Sequence, residues 1–334
     1  MTSPSITPNP SATPVTPVFV GIDVAKDKLD VARSDTGEIR QFHNTAAGIR
    51  SLVASLVPAA PARIVLEATG GLEEALLEAL LDAHLPVARV NPGKVRHLAR
   101  GLGIQAKTDA IDAALLVEFA RLAEPRLAQK RSQKQAELDA LVTCRRQLVS
   151  AKTDQSNQLA STTSPFAKKA LRTVLASLEK QIKRLDKQIA SIIDSDDDMK
   201  HKDQILRSAP GVGPVLSSAI ISQLPEAGKT NRHEVAALIG VAPFNHDSGK
   251  HKGKRAIRGG RADLRSILYM SSQIAMMHNP ILRAMATRLQ TLNKLPKVII
   301  VACMRKFITL LNAMLRDNLT WGQLDIVKEL ASNA

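Results

Sequence analysis

At 334 residues with a formal net charge of +15, the chain has room for two domains of ordinary size, and its excess of Lys and Arg favours polyanionic partners, nucleic acid first. Aromatic residues make up 2% of the sequence, too few for a platform that stacks single-stranded bases, so recognition through backbone and shape is expected. Cys144 and Cys303 stand far apart, which excludes a disulfide framework and a Cys-x-x-Cys zinc site and suits a reducing cytoplasm.

Residues 1–17 are rich in Pro, Ser and Thr and lack the basic and apolar regions of a secretory signal, so they read as a disordered leader. VFVGIDV (Val18–Val24), KLDVAR and EIRQFHN follow with short polar gaps, the pattern of an antiparallel three-stranded meander. A helix is expected over Ala46–Leu56, a strand at RIVLEA, a helix over Leu72–His84 after Gly70-Gly71, and a strand at PVARV. Pro92 suits the first position of a further helix, and another is expected from about Asp109 to Ala123. Three strands followed by alternating helix and strand give an α/β domain with a mixed sheet, over residues 18–125, and this order matches the ribonuclease H-like arrangement. A doubly wound nucleotide fold is disfavoured, because no Gly-rich phosphate loop follows the first strand.

From about Arg126 to Asp196 glycine disappears and charge rises. Leu175, Leu178, Ile182, Leu185, Ile189 and Ile192 are spaced 3-4-3-4-3, a heptad seam. Leu138, Leu141, Val142, Leu148 and Val149 offer a partner helix upstream, with a turn at STTSP. The seam alone fits two readings of residues 126–200 equally: a hairpin closed within one subunit, or a coiled-coil arm for oligomerisation. Residues 201–334 read as mainly helical. The apolar stretch Leu295–Leu315 is broken by Lys297, Arg305 and Lys306, so a buried or amphipathic helix is expected rather than a membrane span. SAPGVGP (Ser208–Pro214) resembles the turn of a helix-hairpin-helix, in which Gly211 and Gly213 would let backbone amides approach a phosphate. A plain helix–helix turn is the alternative.

Four acids stand out. Asp23 ends the first strand and Glu67 the fourth, while Asp109 and Asp112 lie one turn apart on a single helix face. Acids at the ends of apolar strands are costly unless solvated or neutralised. Mg2+ takes carboxylate oxygen, and two such ions about 4 Å apart stabilise the attacking and leaving oxygens of a phosphodiester displacement. Taken singly each acid is an ordinary cap or turn residue, and Asp109 suits an N-cap; the set of four points to a metal site. A second group of interest is Ser248, followed by Lys250, Lys252, Lys254, Arg255 and Arg258. On residue types alone this is a turn that binds backbone phosphates. Lys94, Arg96 and Arg100 line a nucleic-acid groove or form a solvated helix face.

VGIDVAKDKLDVA, IVLEATGG and NPGKVRHLARGLGIQAKTDAIDAALLVEFA resemble the N-terminal domain of DEDD transposases of bacterial insertion sequences, the IS-one-ten family. QILRSAPGVGP and LIGVAPFNHDSGKHKGKRAIRGGRADLR carry the resemblance into the C-terminal part, so it spans nearly the whole chain beyond the leader. It implies a RuvC-like fold with Asp23, Glu67, Asp109 and Asp112 as a Mg2+-binding tetrad, recombination guided by a structured noncoding RNA from the element, as in the branch of the family where that is found, and Ser248 as the nucleophile of the C-terminal transposase domain. Asp247 departs from the small polar residue that often precedes this serine. The expected protein is therefore a DNA transposase or recombinase acting on element ends and target in the bacterial cytoplasm, at the nucleoid. It is expected to have no membrane partner and to work as a dimer or tetramer with shared active sites. A RuvC-like endonuclease using water, and a non-catalytic nucleic-acid-bridging protein, are the rival readings.

Overall fold

A computed structural model describes residues 16–104, 108–130, 132–244, 247–248, 251–253 and 255–324; the side chains of residues 247, 248, 251 and 252 are not among what it describes. Most of the expected leader, and Lys250 and Lys254, lie outside the described residues. The chain divides into two compact units, residues 1–131 and 132–334.

The first unit is a five-stranded mixed sheet with helices on both faces. Strands β1 (Phe19–Val24), β2 (Lys28–Arg33) and β3 (Ile39–His43) form the expected antiparallel meander. β4 (Arg63–Glu67) and β5 (Val87–Val90) continue it in parallel, in the order β3-β2-β1-β4-β5. Side chains alternate across a strand, and the core follows. Val20, Ile22, Val24, Ile64, Leu66 and Val87 pack on one face with Ile49, Leu52 and Leu56 of α1 (Ala46–Leu56) and Leu76, Leu77 and Leu80 of α2 (Glu74–Asp82). Val65, Ala88 and Val90 face the other way, against α3 (Pro92–Gly101) and α4 (Asp109–Ala123). Pro92 occupies the first helical turn of α3, with Asn91 as the cap accepting from the Gly93 amide at 2.8 Å.

Gly21 fixes how closely α4 approaches the sheet. A Cβ at that position would lie 2.3 Å from the Ala113 carbonyl oxygen and 2.7 Å from the Val117 nitrogen, both backbone atoms of α4. The helix therefore rests on the bare backbone of β1, and no other residue type fits there.

The second unit is helical. α5 (Gln133–Ser161) and α6 (Pro165–Asp194) pack along one another as a hairpin. The seam residues Leu175, Leu178, Ile182 and Leu185 are half-buried, and Ile189 and Ile192 are buried. Lys152–Glu179 at 2.8 Å and Arg145–Asp186 tie the two helices across the seam. The rest of the unit comprises α7 (Asp197–Arg207), α8 (Pro214–Gln223), α9 (Arg232–Ile239), α10 (Ala262–His278), α11 (Pro280–Thr291) and α12 (Pro296–Asp317). α12 is long and apolar enough to cross a membrane, yet Ile299, Cys303, Met304, Phe307, Ile308, Leu311 and Met314 sit in the core of this unit. Helices α7, α9, α10 and α11 pack against it. Asn312 is buried in it without penalty, accepting from the Gly228 amide and donating to the Thr230 carbonyl, both at 2.9 Å.

Candidate active site

A cleft in the first unit is lined by Asp23, Glu67, Asp109 and Asp112 together with Thr69, Arg96 and the apolar side chains Val95, Ile104, Ile111 and Leu115. All four expected acids thus reach one cavity. Asp23 and Glu67 occupy odd positions on parallel neighbouring strands and so face α4, opposite to Ile22 and Leu66. The Gly21 contact brings the first turn of α4, with Asp109 and Asp112, over that face. The N-cap of α4 is Thr108, whose hydroxyl accepts from the Ile111 amide at 3.3 Å, rather than Asp109. A threonine already satisfies the orphan amide, and the Asp109 carboxylate turns instead to the Lys28 ammonium at 2.6 Å.

Two residues of this site escaped the reading of the sequence. Asp30 is buried and directly opposes Asp23 across the β1–β2 ladder. It accepts from Gln41 Nε2 at 2.9 Å and forms an ion pair with Lys28 at 3.0 Å. Lys28 thereby joins Asp30 to Asp109, and the hydrogen bonds it donates to Asp109 and Asp30 raise its pKa further. The signal was available in period-2 alternation, which puts Lys28 and Asp30 on the face of β2 that carries Asp23 on β1; register was the missing piece.

The electrostatics of the cleft are strained in one direction. Burial pushes the Asp23 carboxyl above its ordinary range, and the negative charges of Asp112, Asp109 and Asp30 push it the same way. A hard divalent cation relieves that stress, and an all-carboxylate donor set is the kind such an ion takes. Among the described residues no three acidic, His or Cys side chains already converge as a chelating group, which agrees with Asp109 being drawn to Lys28.

The turn that follows Glu67 is held by a buried acid. One Glu73 oxygen accepts from the Thr69 amide (3.0 Å), the Thr69 hydroxyl (2.9 Å) and the Gly71 amide (2.9 Å), and the other from Arg89 at 3.4 Å. Burial alone would raise its pKa; these donors outweigh burial and hold it below the ordinary value.

In the second unit Ser248 lies on a small excursion between α9 and α10. β6 (Pro243–Phe244) pairs with β9 (Ala256–Ile257), and within that loop β7 (Asp247–Ser248) pairs with β8 (His251–Lys252), Ser248 opposite His251. Arg255 and Arg258 are exposed, and the Arg258 guanidinium stacks on Phe244, 4.8 Å from the ring centroid. Gly211, at φ 97°, has a packing reason: a Cβ there would meet Ala275 of α10 at 2.4 Å. Around Gly213, which caps α8, the space is open. Arg96 lines the acidic cleft, while Lys94 and Arg100 are exposed elsewhere on α3.

Two family models match the chain in succession. A DEDD model of IS110 type, described as transposase, covers residues 20–164, and one described as transposase of the IS116/IS110/IS902 family covers residues 203–287. The pilin gene-inverting protein of Moraxella bovis is 29% identical over 314 residues, 90% of this chain and 96% of that protein. The transposase for insertion sequence element IS1111A of Coxiella burnetii is 22% identical over 296 residues, 78% of each. Among solved structures, T. thermophilus RuvC in complex with Holliday junction substrate is 16% identical with a TM-score of 0.25, covering 34% of this chain and 100% of that one, too slight a likeness to bear on the fold.

Proposed function

Since the chain belongs to the IS110 family of insertion-sequence transposases and is a DNA transposase or recombinase, we propose that the acid-lined cleft is its strand-cleaving centre. The observation that carries this is the gathering of Asp23, Glu67, Asp109 and Asp112 in one cavity. The strand order β3-β2-β1-β4-β5, with only the first two ladders antiparallel, supports a ribonuclease H-like reading of this unit. A DEDD domain implies a divalent metal, and we assign Mg2+, two per site, to the four carboxylates. When bound, the ions neutralise charge on the attacking and departing oxygens.

The chain's own groups do the rest. Arg96 on the cleft wall offers donors to a phosphate. Ser248 is the nucleophile: its oxygen bonds to phosphorus, the bond from phosphorus to a sugar oxygen breaks, the serine proton leaves to solvent and the departing sugar oxygen takes one up. The resulting phosphoserine conserves the bond energy, and the reverse step rejoins a strand. Lys250, Lys252, Lys254, Arg255 and Arg258 hold backbone phosphate beside it, and Gly211 and Gly213 offer a second phosphate contact. A structured RNA selects the target, and the protein acts as a dimer or tetramer in which the carboxylates of one chain serve the serine of another.

Asp109→Asn and Glu67→Gln are expected to lower strand cleavage by at least about a hundredfold while Tm stays within a few degrees. Ser248→Ala is expected to bind DNA and form no denaturation-resistant adduct. Mixing Asp109→Asn with Ser248→Ala subunits restores part of the activity if sites are shared. Full cleavage in both carboxylate variants overturns the metal site, and an adduct from Ser248→Ala moves the nucleophile elsewhere.

A further inference from the structure

Helix α6 has two opposed faces. On one lies the apolar seam against α5. Lys169, Arg172, Lys180, Lys183 and Lys187 are all exposed, and at 3.6 residues per turn they fall within about 80° of one another on the side away from the seam. At 1.5 Å per residue the row runs about 27 Å.

A row of cations on a helix is ordinarily neutralised by acids on the same or a neighbouring helix. Here the hairpin uses its acids internally. Glu179 and Asp186 sit at the flank of the seam and pair with Lys152 and Arg145 of α5. Arg146 of α5 pairs with Asp263 at 3.1 Å, and Lys134 donates to the Ser195 carbonyl. Glu179 also feels the charge of Lys183 one turn away, but it is drawn to Lys152, and among the described residues none of the five cations in the row forms an ion pair, so the outer face of α6 keeps a net positive charge.

We propose that this face of α6 is a binding surface for the phosphate backbone of duplex DNA, separate from the acid cleft and from the basic segment after Ser248. The row is straight and about as long as eight base pairs of B-form duplex. Between positions 169 and 187 it contains no aromatic residue, and the exposed Phe166, one turn before Lys169, is a single ring at its end, so the row offers no platform on which successive unpaired bases stack. Four of the five cations are lysines, point charges that neutralise phosphate without fixing a base. The surface thus adds affinity for DNA of any sequence.

The test uses the full chain and a mixed-sequence DNA duplex, with binding measured across a range of salt. Each phosphate neutralised contributes a slope of about −0.9 in log K against log salt. The variant Lys169→Gln/Arg172→Gln/Lys180→Gln/Lys183→Gln/Lys187→Gln is expected to flatten the slope by about 3 to 4 and to weaken binding about a hundredfold near 0.1 M salt. The pairs Lys169→Gln/Arg172→Gln and Lys183→Gln/Lys187→Gln, which disturb the helix less, should each flatten it by about 1 to 2. A control, Lys200→Gln/Lys294→Gln/Lys297→Gln, removes exposed charge elsewhere in the unit and should flatten it by less than about 1. Equal effects in row and control overturn the proposal. So does a row variant that loses duplex RNA binding while keeping DNA binding. Cleavage by the carboxylate variants is a separate readout, so failure of this surface leaves the reading of the cleft untouched.

Discussion

Asp23 stands in a six-residue strand paired on both edges, whereas Ser248 stands on a strand of two residues paired on one. The carboxylates are mounted on a sheet whose two faces are each filled by a buried apolar cluster. The residues flanking the serine ribbon, Pro243, Phe244, Arg255 and Ala256, are exposed. Stability and the proposed chemistry are coupled at the carboxylates far more than at the serine. Four acids that repel one another stay together only if the backbone beneath them cannot yield, so their mounting draws on the whole core. The serine proposed as nucleophile would need no such mounting, and its loop is expected to contribute little to folding.

The largest effect expected of this asymmetry is at Gly21. Gly21→Val drives side-chain carbons into the backbone of α4 and should cost at least about 3 kcal/mol and abolish cleavage. A loss below about 1 kcal/mol by chemical denaturation would mean that α4 is not held where we place it. Next comes Glu73→Ala, which strips Thr69, Gly71 and Arg89 of their shared acceptor. The expected cost is about 3 kcal/mol. Because the Glu73 pKa is depressed, wild type should lose that advantage as pH falls through the depressed value, and urea titrations at neutral and acid pH read this directly.

Asp23→Asn should have the opposite sign. The raised carboxyl penalises the charged form, so the penalty is complete above the raised pKa and fades as pH falls through it. The metal-free variant is expected to melt above wild type at pH 7 to 8, with the gain vanishing toward the ordinary carboxylate pKa of about 4. A gain that persists unchanged in acid would assign it to packing instead. The smallest effect is at Ser248→Ala, which should alter stability by no more than about 0.5 kcal/mol. A large loss would show that the ribbon matters to folding and would close the contrast.

Much of the first unit was legible because its signals are local. Short apolar runs separated by polar gaps named the strands from Phe19 to His43, and Pro92 announced α3. The four acids were legible because Asp23 and Glu67 fall at or next to the ends of apolar strands and Asp109 and Asp112 repeat at a helical turn. Asp30 and Lys28 were not, since their place depends on which residue of β2 opposes Asp23, and no local pattern carries register. The cap of α4 was not legible for a related reason: Thr108 and Asp109 both suit an N-cap, and the Lys28 that takes up the Asp109 carboxylate stands 81 residues away in sequence. The packing reason for Gly211 was not legible, because its neighbour Ala275 is remote in the chain.

The bare contact of α4 on Gly21 has a mechanical consequence. The separation between Asp23 and the acids of α4 rests on touching backbone atoms, that is, on a repulsive wall that rises steeply with compression. Side chains in rotamer wells would give a softer spacing that drifts as the core breathes. Here the sheet and the helix act as a gauge block. Hydrostatic pressure applied below the unfolding threshold should therefore squeeze other parts of the core before it alters the interval between these carboxylates.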